Sequence, residues 1–247
     1  MLSRACWCLL LSALLLGGCS GAGKRPPLSP AEQYRKAEAL LAARKYAKAI
    51  TAYEKVDTSQ DRELRALVHL RIADAYFARP NILNLAEAQS RYQSFLNFFP
   101  LSDQAPYAQF RFASCLKLQV NKPERDQAPT YRAIGEFRKV QQLYPSSSWI
   151  DEAAKQISQL EDQLSTDALF KARFYFKRKS YVASAARLKR ILASNPDYPG
   201  RAEVLYLLGA SLLKTGREED GRKFLDRLDE EFPDSKFAKK ARERFKG

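Results

Sequence analysis

Side chains able to do covalent or acid–base chemistry are few in this 247-residue chain: four cysteines and a single histidine. His69 alone cannot form a histidine metal cluster or an H-E-x-x-H motif. No glycine-rich phosphate cradle and no G-x-S-x-G nucleophile turn occurs. Acidic runs such as Glu161-Asp162, Glu218-Glu219-Asp220 and Asp229-Glu230-Glu231 lie among lysines and arginines, where helix-surface ion pairing accounts for them. The sequence therefore predicts no catalysis, no metal site and no dissociable cofactor. One thiol, Cys19, stands in a patterned setting.

Cys19 follows an apolar run, Leu9 to Leu16, and then Gly17-Gly18, with one positive charge, Arg4, before the run. A short charged start, a compact apolar stretch and small residues at the cut form a secretory signal, here residues 1–18. The run is too short to span a bilayer, which needs about 20 apolar residues. Leu16-Gly17-Gly18-Cys19 resembles the bacterial lipobox, whose cysteine is diacylated on sulfur and becomes the acylated first residue after cleavage. Several acyl chains together hold a protein firmly at a membrane. Ser20, where an Asp would favour retention in the inner membrane, implies a lipid anchor in the outer membrane, facing the periplasm. Residues 19–30 then comprise the lipidated cysteine and a small, polar, Pro-rich segment that reads as a flexible tether. Cys6 and Cys8 leave with the signal. Cys115 is left without a disulfide partner and reads as a small core residue.

The elements behind these residues are helical. The chain is rich in Ala, Leu, Lys, Arg and Gln, and has 10 glycines. Its net charge is +14, a balance suited to acidic partners, anionic lipid or nucleic acid; export argues against nucleic acid. A mark recurs: Phe99-Pro100, Tyr144-Pro145, Asn195-Pro196 and Phe232-Pro233, each ending an amphipathic stretch and followed within two residues by Ser or Asp. Proline stops the helix, and the Ser or Asp is expected to cap the next one. Small residues recur in pairs before these stops: Ala37/Ala49, Ala73/Ala88, Ala113/Ala133, Ala172/Ser184 and Gly209/Gly221. Helix axes only 8–10 Å apart need small side chains where they cross. The pattern is that of the tetratricopeptide repeat, with insertions in the second and third units.

The predicted fold is all-α: a right-handed superhelical solenoid of about five tetratricopeptide-type helix pairs with a capping helix near 235–246. Repeats 1–3 occupy residues 31–148; repeats 4–5 and the cap occupy 149–247. A long unbroken helix over roughly 149–178 is expected to join the two sets. First helices line the inner face of such an array, and the repeat register puts Tyr34, Leu70, Asp74, Phe77, Tyr107, Phe110 and Lys117 there. This apolar and aromatic set suits an extended or helical peptide with aromatic anchors; packing between neighbouring repeats is the alternative use of the same residues.

The stretch from Asp167 to Arg187 contains Ala172-x-x-Tyr175, then Tyr181-Val182-Ala183, then Arg187 five residues beyond Val182. It resembles the fourth repeat of the BamD family, lipoproteins of the bacterial outer-membrane β-barrel assembly (Bam) machine. Pro123-Glu124-Arg125-Asp126 and Tyr144-Pro145-x-Ser147 are similar to that family as well. The resemblance implies a scaffold whose carboxyl-terminal repeats hold the last POTRA domain of BamA, with Arg187 as a charge contact, and whose amino-terminal repeats receive the targeting signal of unfolded barrel proteins. Other Bam lipoproteins would be its neighbours. A different periplasmic repeat lipoprotein, such as a pilus-assembly pilotin or a cell-envelope coordinator, is the other reading of a lipobox followed by helical repeats.

The lipobox makes a direct prediction. Mass spectrometry of the membrane-extracted protein should find a chain beginning at acylated Cys19, and Cys19→Ala should shift the protein to the soluble fraction. An unmodified Cys19 in a membrane-bound chain would remove the lipid anchor from the account.

Overall fold

A computed structural model describes residues 27–245, so the signal, Cys19 and most of the tether lie outside the described residues. Eleven α-helices account for the described fold. They are α1 Pro30–Ala42, α2 Tyr46–Tyr53, α3 Arg62–Phe77, α4 Ile82–Phe98, α5 Ala105–Lys117, α6 Ala128–Leu143, α7 Ile150–Lys177, α8 Tyr181–Ser194, α9 Arg201–Leu213, α10 Glu218–Glu231 and α11 Lys236–Arg244. Each packs chiefly against its neighbours in sequence, as in a stacked array of helix pairs. No described helix is long and apolar enough to cross a membrane.

Within each pair the small residues meet where the helices cross. Ala37, Ala49, Ala73, Ala88, Ala113, Ala133, Ala172 and Ser184 are all fully buried. Ser184 Oγ, at its crossing, donates to the Ala172 carbonyl at 3.0 Å. The last pair is tightest: a Cβ on Gly209 would lie 2.6 Å from Leu225 Cδ2 and 2.9 Å from the Gly221 carbonyl oxygen.

The turns inside the pairs follow the insertions. In repeats 1, 4 and 5 one left-handed residue reverses the chain: Arg44 (φ 56°), Lys179 (φ 60°) and Gly216 (φ 77°). The next amide in each case, Lys45, Ser180 and Arg217, reaches back to the carbonyl of Leu40, Tyr175 and Leu212. Repeats 2 and 3 carry longer turns instead. Between pairs, the residue before each proline is driven out of the helical region: Phe99, Tyr144, Asn195 and Phe232 have φ from −132° to −143°.

One expectation needs correcting here. After these prolines only Ser235 caps the following helix, accepting from the Ala238 amide at 3.1 Å. Ser102 and Ser147 instead accept from the amides of Gln104 and Trp149 inside the turn, and α9 is preceded by Gly200 with no side-chain cap. The extra turn residues carry each hydroxyl out of reach of the helix start.

The core runs as three linked clusters. Ala37, Tyr53 and Ile72 centre the first, around α1–α3. Tyr92, Phe95, Phe112 and Phe137 fill the second, which also takes Ala153, Ile157 and Leu160 from α7. Leu169 and Ala172, further along α7, belong to the third, with Leu188, Leu205, Leu208 and Leu228. The 28 residues of α7, about 42 Å at 1.5 Å per residue, thus serve both halves with one helix.

Two glycines give opposite forecasts. Gly209→Val should lower stability by about 2–3 kcal/mol, because overpacking outweighs any helix-propensity gain. Gly135 in α6 has open space around its missing side chain, so Gly135→Ala should raise stability by about 0.5–1 kcal/mol. Urea unfolding followed by circular dichroism reads both; a tolerated valine at Gly209 would contradict the close crossing.

Candidate functional site

The side chains that join the first three repeats converge on Asp74. It lies on α3, is 8% exposed, and its partners come from three helices. Tyr92 and Tyr107 hydroxyls donate to Asp74 Oδ1 at 2.6 and 2.8 Å. Arg71 Nη1 donates to Oδ2 at 3.0 Å, and Arg111 Nε stands 3.9 Å from Oδ1. Arg71 also pairs through Nε with Glu38 on α1 at 3.2 Å, and Tyr53 donates to the same carboxylate oxygen. The chain of contacts thus runs from α1 to α5.

Electrostatics explains why the carboxylate can sit there. A buried charge is costly unless it is paired and hydrogen-bonded, and Asp74 has two arginines and two phenols. The phenols respond in turn. Burial first, then the Asp74 charge, pushes the Tyr92 and Tyr107 hydroxyls well above their ordinary range, so both stay protonated donors. Burial likewise raises Tyr34.

An aromatic surface is built on this frame. The Arg111 guanidinium lies 3.7 Å from the Phe77 ring centroid, a cation–π stack. Tyr107 and Phe110 both pack on Trp149, at centroid distances of 5.2 and 4.8 Å. Phe77, Tyr107, Arg111 and Trp149 remain half-buried, with an edge open to solvent.

The inner-face residues expected from the sequence therefore divide. Asp74, Phe77 and Tyr107 come together, and Tyr34 joins them beside Tyr53 (5.7 Å between rings) at the Glu38–Arg71 end. Leu70, 1% exposed, and Phe110, 7% exposed and stacked on Phe137, are core residues rather than surface ones. Lys117 faces α7, where its ammonium donates to Gln156 and, at 2.6 Å, to Gln159. Arg71, Arg111 and Trp149 were missed by the sequence reading. The signal was present: Arg71 precedes Asp74 by three residues and Arg111 follows Tyr107 by four, one helix face in each case.

A second concave region lies where α6, α7 and α8 meet, a cleft of about 710 Å³. Arg187 lines it with Arg138, Arg190, Lys171, Glu161 and Asp167. The Arg187 guanidinium sits 4.2 Å from the Tyr175 ring centroid and donates to the Ala183 carbonyl at 3.2 Å. No carboxylate within the described residues pairs with it. Arg138 and Lys171 are paired, with Glu161 and Asp167. Cys115 is fully buried, and burial pushes its thiol up to about 12, which leaves it without thiolate reactivity at neutral pH.

Comparison with known proteins gives consistent matches. The family model described as "Outer membrane lipoprotein" (YfiO) matches residues 26–224. The chain is 25% identical over 238 residues to the outer membrane protein assembly factor BamD of Rickettsia prowazekii, covering 93% of this chain and 91% of that one. It is 26% identical over 229 residues to BamD of Caulobacter vibrioides, covering 87% and 71%. Among solved structures, the TPR2AB domain of yeast Sti1 in its pHSP90 complex is similar at 13% identity and a TM-score of 0.47, with 85% of this chain and 80% of that one covered.

The Asp74 cluster yields a stability forecast. Asp74→Ala strands the hydroxyls of buried Tyr92 and half-buried Tyr107, unpairs Arg111 and leaves Arg71 only Glu38, and should cost about 3–5 kcal/mol. Tyr92→Phe removes one donor and should cost about 1–3 kcal/mol. Urea titration measures both, and equal stability of wild type and Asp74→Ala would remove the cluster from its linking role.

Proposed function

Because the chain belongs to the YfiO outer membrane lipoprotein family, we propose that it is a non-catalytic scaffold of the outer-membrane β-barrel assembly machine, held by lipid on the periplasmic face of the outer membrane. The observation that carries this reading is the family match itself, which encloses both the Asp74 groove and the Arg187 cleft in one alignment, residues 26–224. The names of the relatives, outer membrane protein assembly factors, support the same process.

Within it the two concave regions take different partners. The groove of repeats 1–3 receives the targeting segment of an unfolded barrel protein: Phe77 and Tyr107 offer aromatic edges, and Arg71 and Arg111 offer cations already oriented by Asp74. Aromatic and arginine anchors in a rigid frame are the usual carriers of peptide affinity. The Arg187 cleft holds the last POTRA domain of BamA. An arginine stacked on Tyr175, with its fork not taken up by any carboxylate among the described residues, is preorganised for a carboxylate of a partner.

Pull-down of the isolated POTRA domain by the mature chain tests the pairing. Arg187→Glu should weaken it about 10–100-fold with the helical circular dichroism unchanged. Arg187→Lys, which keeps the charge and loses the planar fork, should fall in between. Undiminished binding by Arg187→Glu would remove this residue from the interface.

A further inference from the structure

The first repeat carries a surface that neither concave region uses. Lys36 on α1, Lys48 on α2 and Lys55 just beyond the end of α2 line one shallow pocket together with Leu28, which is 47% exposed. Lys48 also lines a second pocket with Arg44, Lys45 and Arg79, so the six cations form one continuous patch. All six are exposed, and none forms an ion pair within the described residues. No carboxylate lines either pocket. Of the carboxylates on these elements, Glu32 is bound to Ser29 at the start of α1, Glu38 pairs with Tyr53 and Arg71, and Glu54, next to Lys55, lines neither pocket. Elsewhere on the molecule many exposed lysines have a glutamate one turn away, as with Lys139, Lys155 and Lys223. What sets the first repeat apart is that six cations line two adjoining pockets whose linings hold no carboxylate; such clustered like charge repels itself, and a counter-charge from outside relieves the repulsion.

One exposed aliphatic side chain lies within the patch and two more follow it in sequence. Leu28 sits amid the lysines, and Ile82 and Leu83, 87% and 81% exposed, follow Arg79 at the start of α4. Cations interleaved with exposed aliphatic groups are the composition of a surface that rests in a lipid headgroup layer. The position in the chain agrees. Eight residue steps lead from Cys19 to Pro27, a span of at most about 29 Å at full extension. A chain anchored at Cys19 therefore keeps its first repeat next to the bilayer at high effective concentration, where weak attraction per residue suffices.

We infer that this patch, centred on Lys36, Lys48 and Lys55 with Leu28, docks on the anionic phospholipid surface of the membrane that holds the protein, and so fixes the orientation of the solenoid relative to that membrane. The inference rests on the lipid anchor proposed for Cys19. Each cation near an anionic surface is worth roughly fivefold in partitioning, so three together give about 100-fold, and the effect fades once added salt shortens the screening length well below its physiological ~8 Å.

The experiment uses the mature chain with Cys19→Ser, so that no acyl group contributes, and phosphatidylethanolamine vesicles prepared with and without phosphatidylglycerol. Sedimentation should show binding only to the anionic vesicles, lost on adding salt. The triple variant Lys36→Gln, Lys48→Gln, Lys55→Gln should bind about 100-fold more weakly. The control variant Lys139→Gln, Lys155→Gln, Lys223→Gln removes the same charge from paired positions and should bind as the parent does. Equal weakening of both variants would reduce the effect to net charge and overturn the patch, as would absence of binding or equal binding to neutral vesicles. Such a failure leaves the anchor untouched, since acylation of Cys19 is read separately by mass.

Discussion

The close crossing of paired helices at small residues is the constraint on which the structure depends. At Gly209 and Gly221 there is no room for a methyl group between the backbones, and at the other crossings alanine or serine is sealed completely from solvent. A crossing this close lets each pair expose one broad face to the next pair, and the large residues fill that face: Tyr53, Tyr92, Phe137, Leu188 and Leu228 are all buried. Stacking then follows, because a single pair cannot bury both its faces alone. The curvature that makes grooves is a consequence of this packing rather than a separate feature.

On that scaffold the Asp74 cluster adds directionality. Apolar contacts between repeats tolerate sliding, whereas a carboxylate held by Tyr92, Tyr107 and Arg71 has one geometry. The cluster locks three repeats in register and holds Arg111 over Phe77 in the orientation a ligand would meet. The long α7 makes the corresponding link to the carboxyl-terminal half, with Leu160 in one core cluster and Leu169 in the next. The groove and the Arg187 cleft are therefore parts of one frame, on which two partners can be held at a defined distance.

Much of this frame was legible in the sequence because it rests on residue size and on proline. The small pairs marked every crossing, and Phe99-Pro100 and its counterparts marked the ends of the second helices. The groove was read less well, for a geometric reason. A helix turns by about 100° per residue, so an error of one position moves a side chain from surface to core. Leu70 and Phe110 are each one residue before the arginine that does face the groove, and the preference for apolar anchors selected the wrong neighbour. The cations of the first repeat carry no motif. Their meaning comes from two adjoining pockets whose linings hold cations and no carboxylate, which spacing along the chain does not reveal. Capping by Ser102 and Ser147 was misjudged because the turn length, not the residue type, decides which amide a hydroxyl can reach.

We propose that the inner face of the first three repeats, organised by Asp74, is where an unfolded barrel protein is received. Hydrogen–deuterium exchange of the mature chain, alone and with a peptide from the carboxyl terminus of an outer-membrane barrel protein, tests it most directly. The account predicts new protection confined to α3 and α5, the helices that carry Phe77, Tyr107 and Arg111. Protection appearing only in α9–α11, with α3 and α5 unchanged, would contradict it.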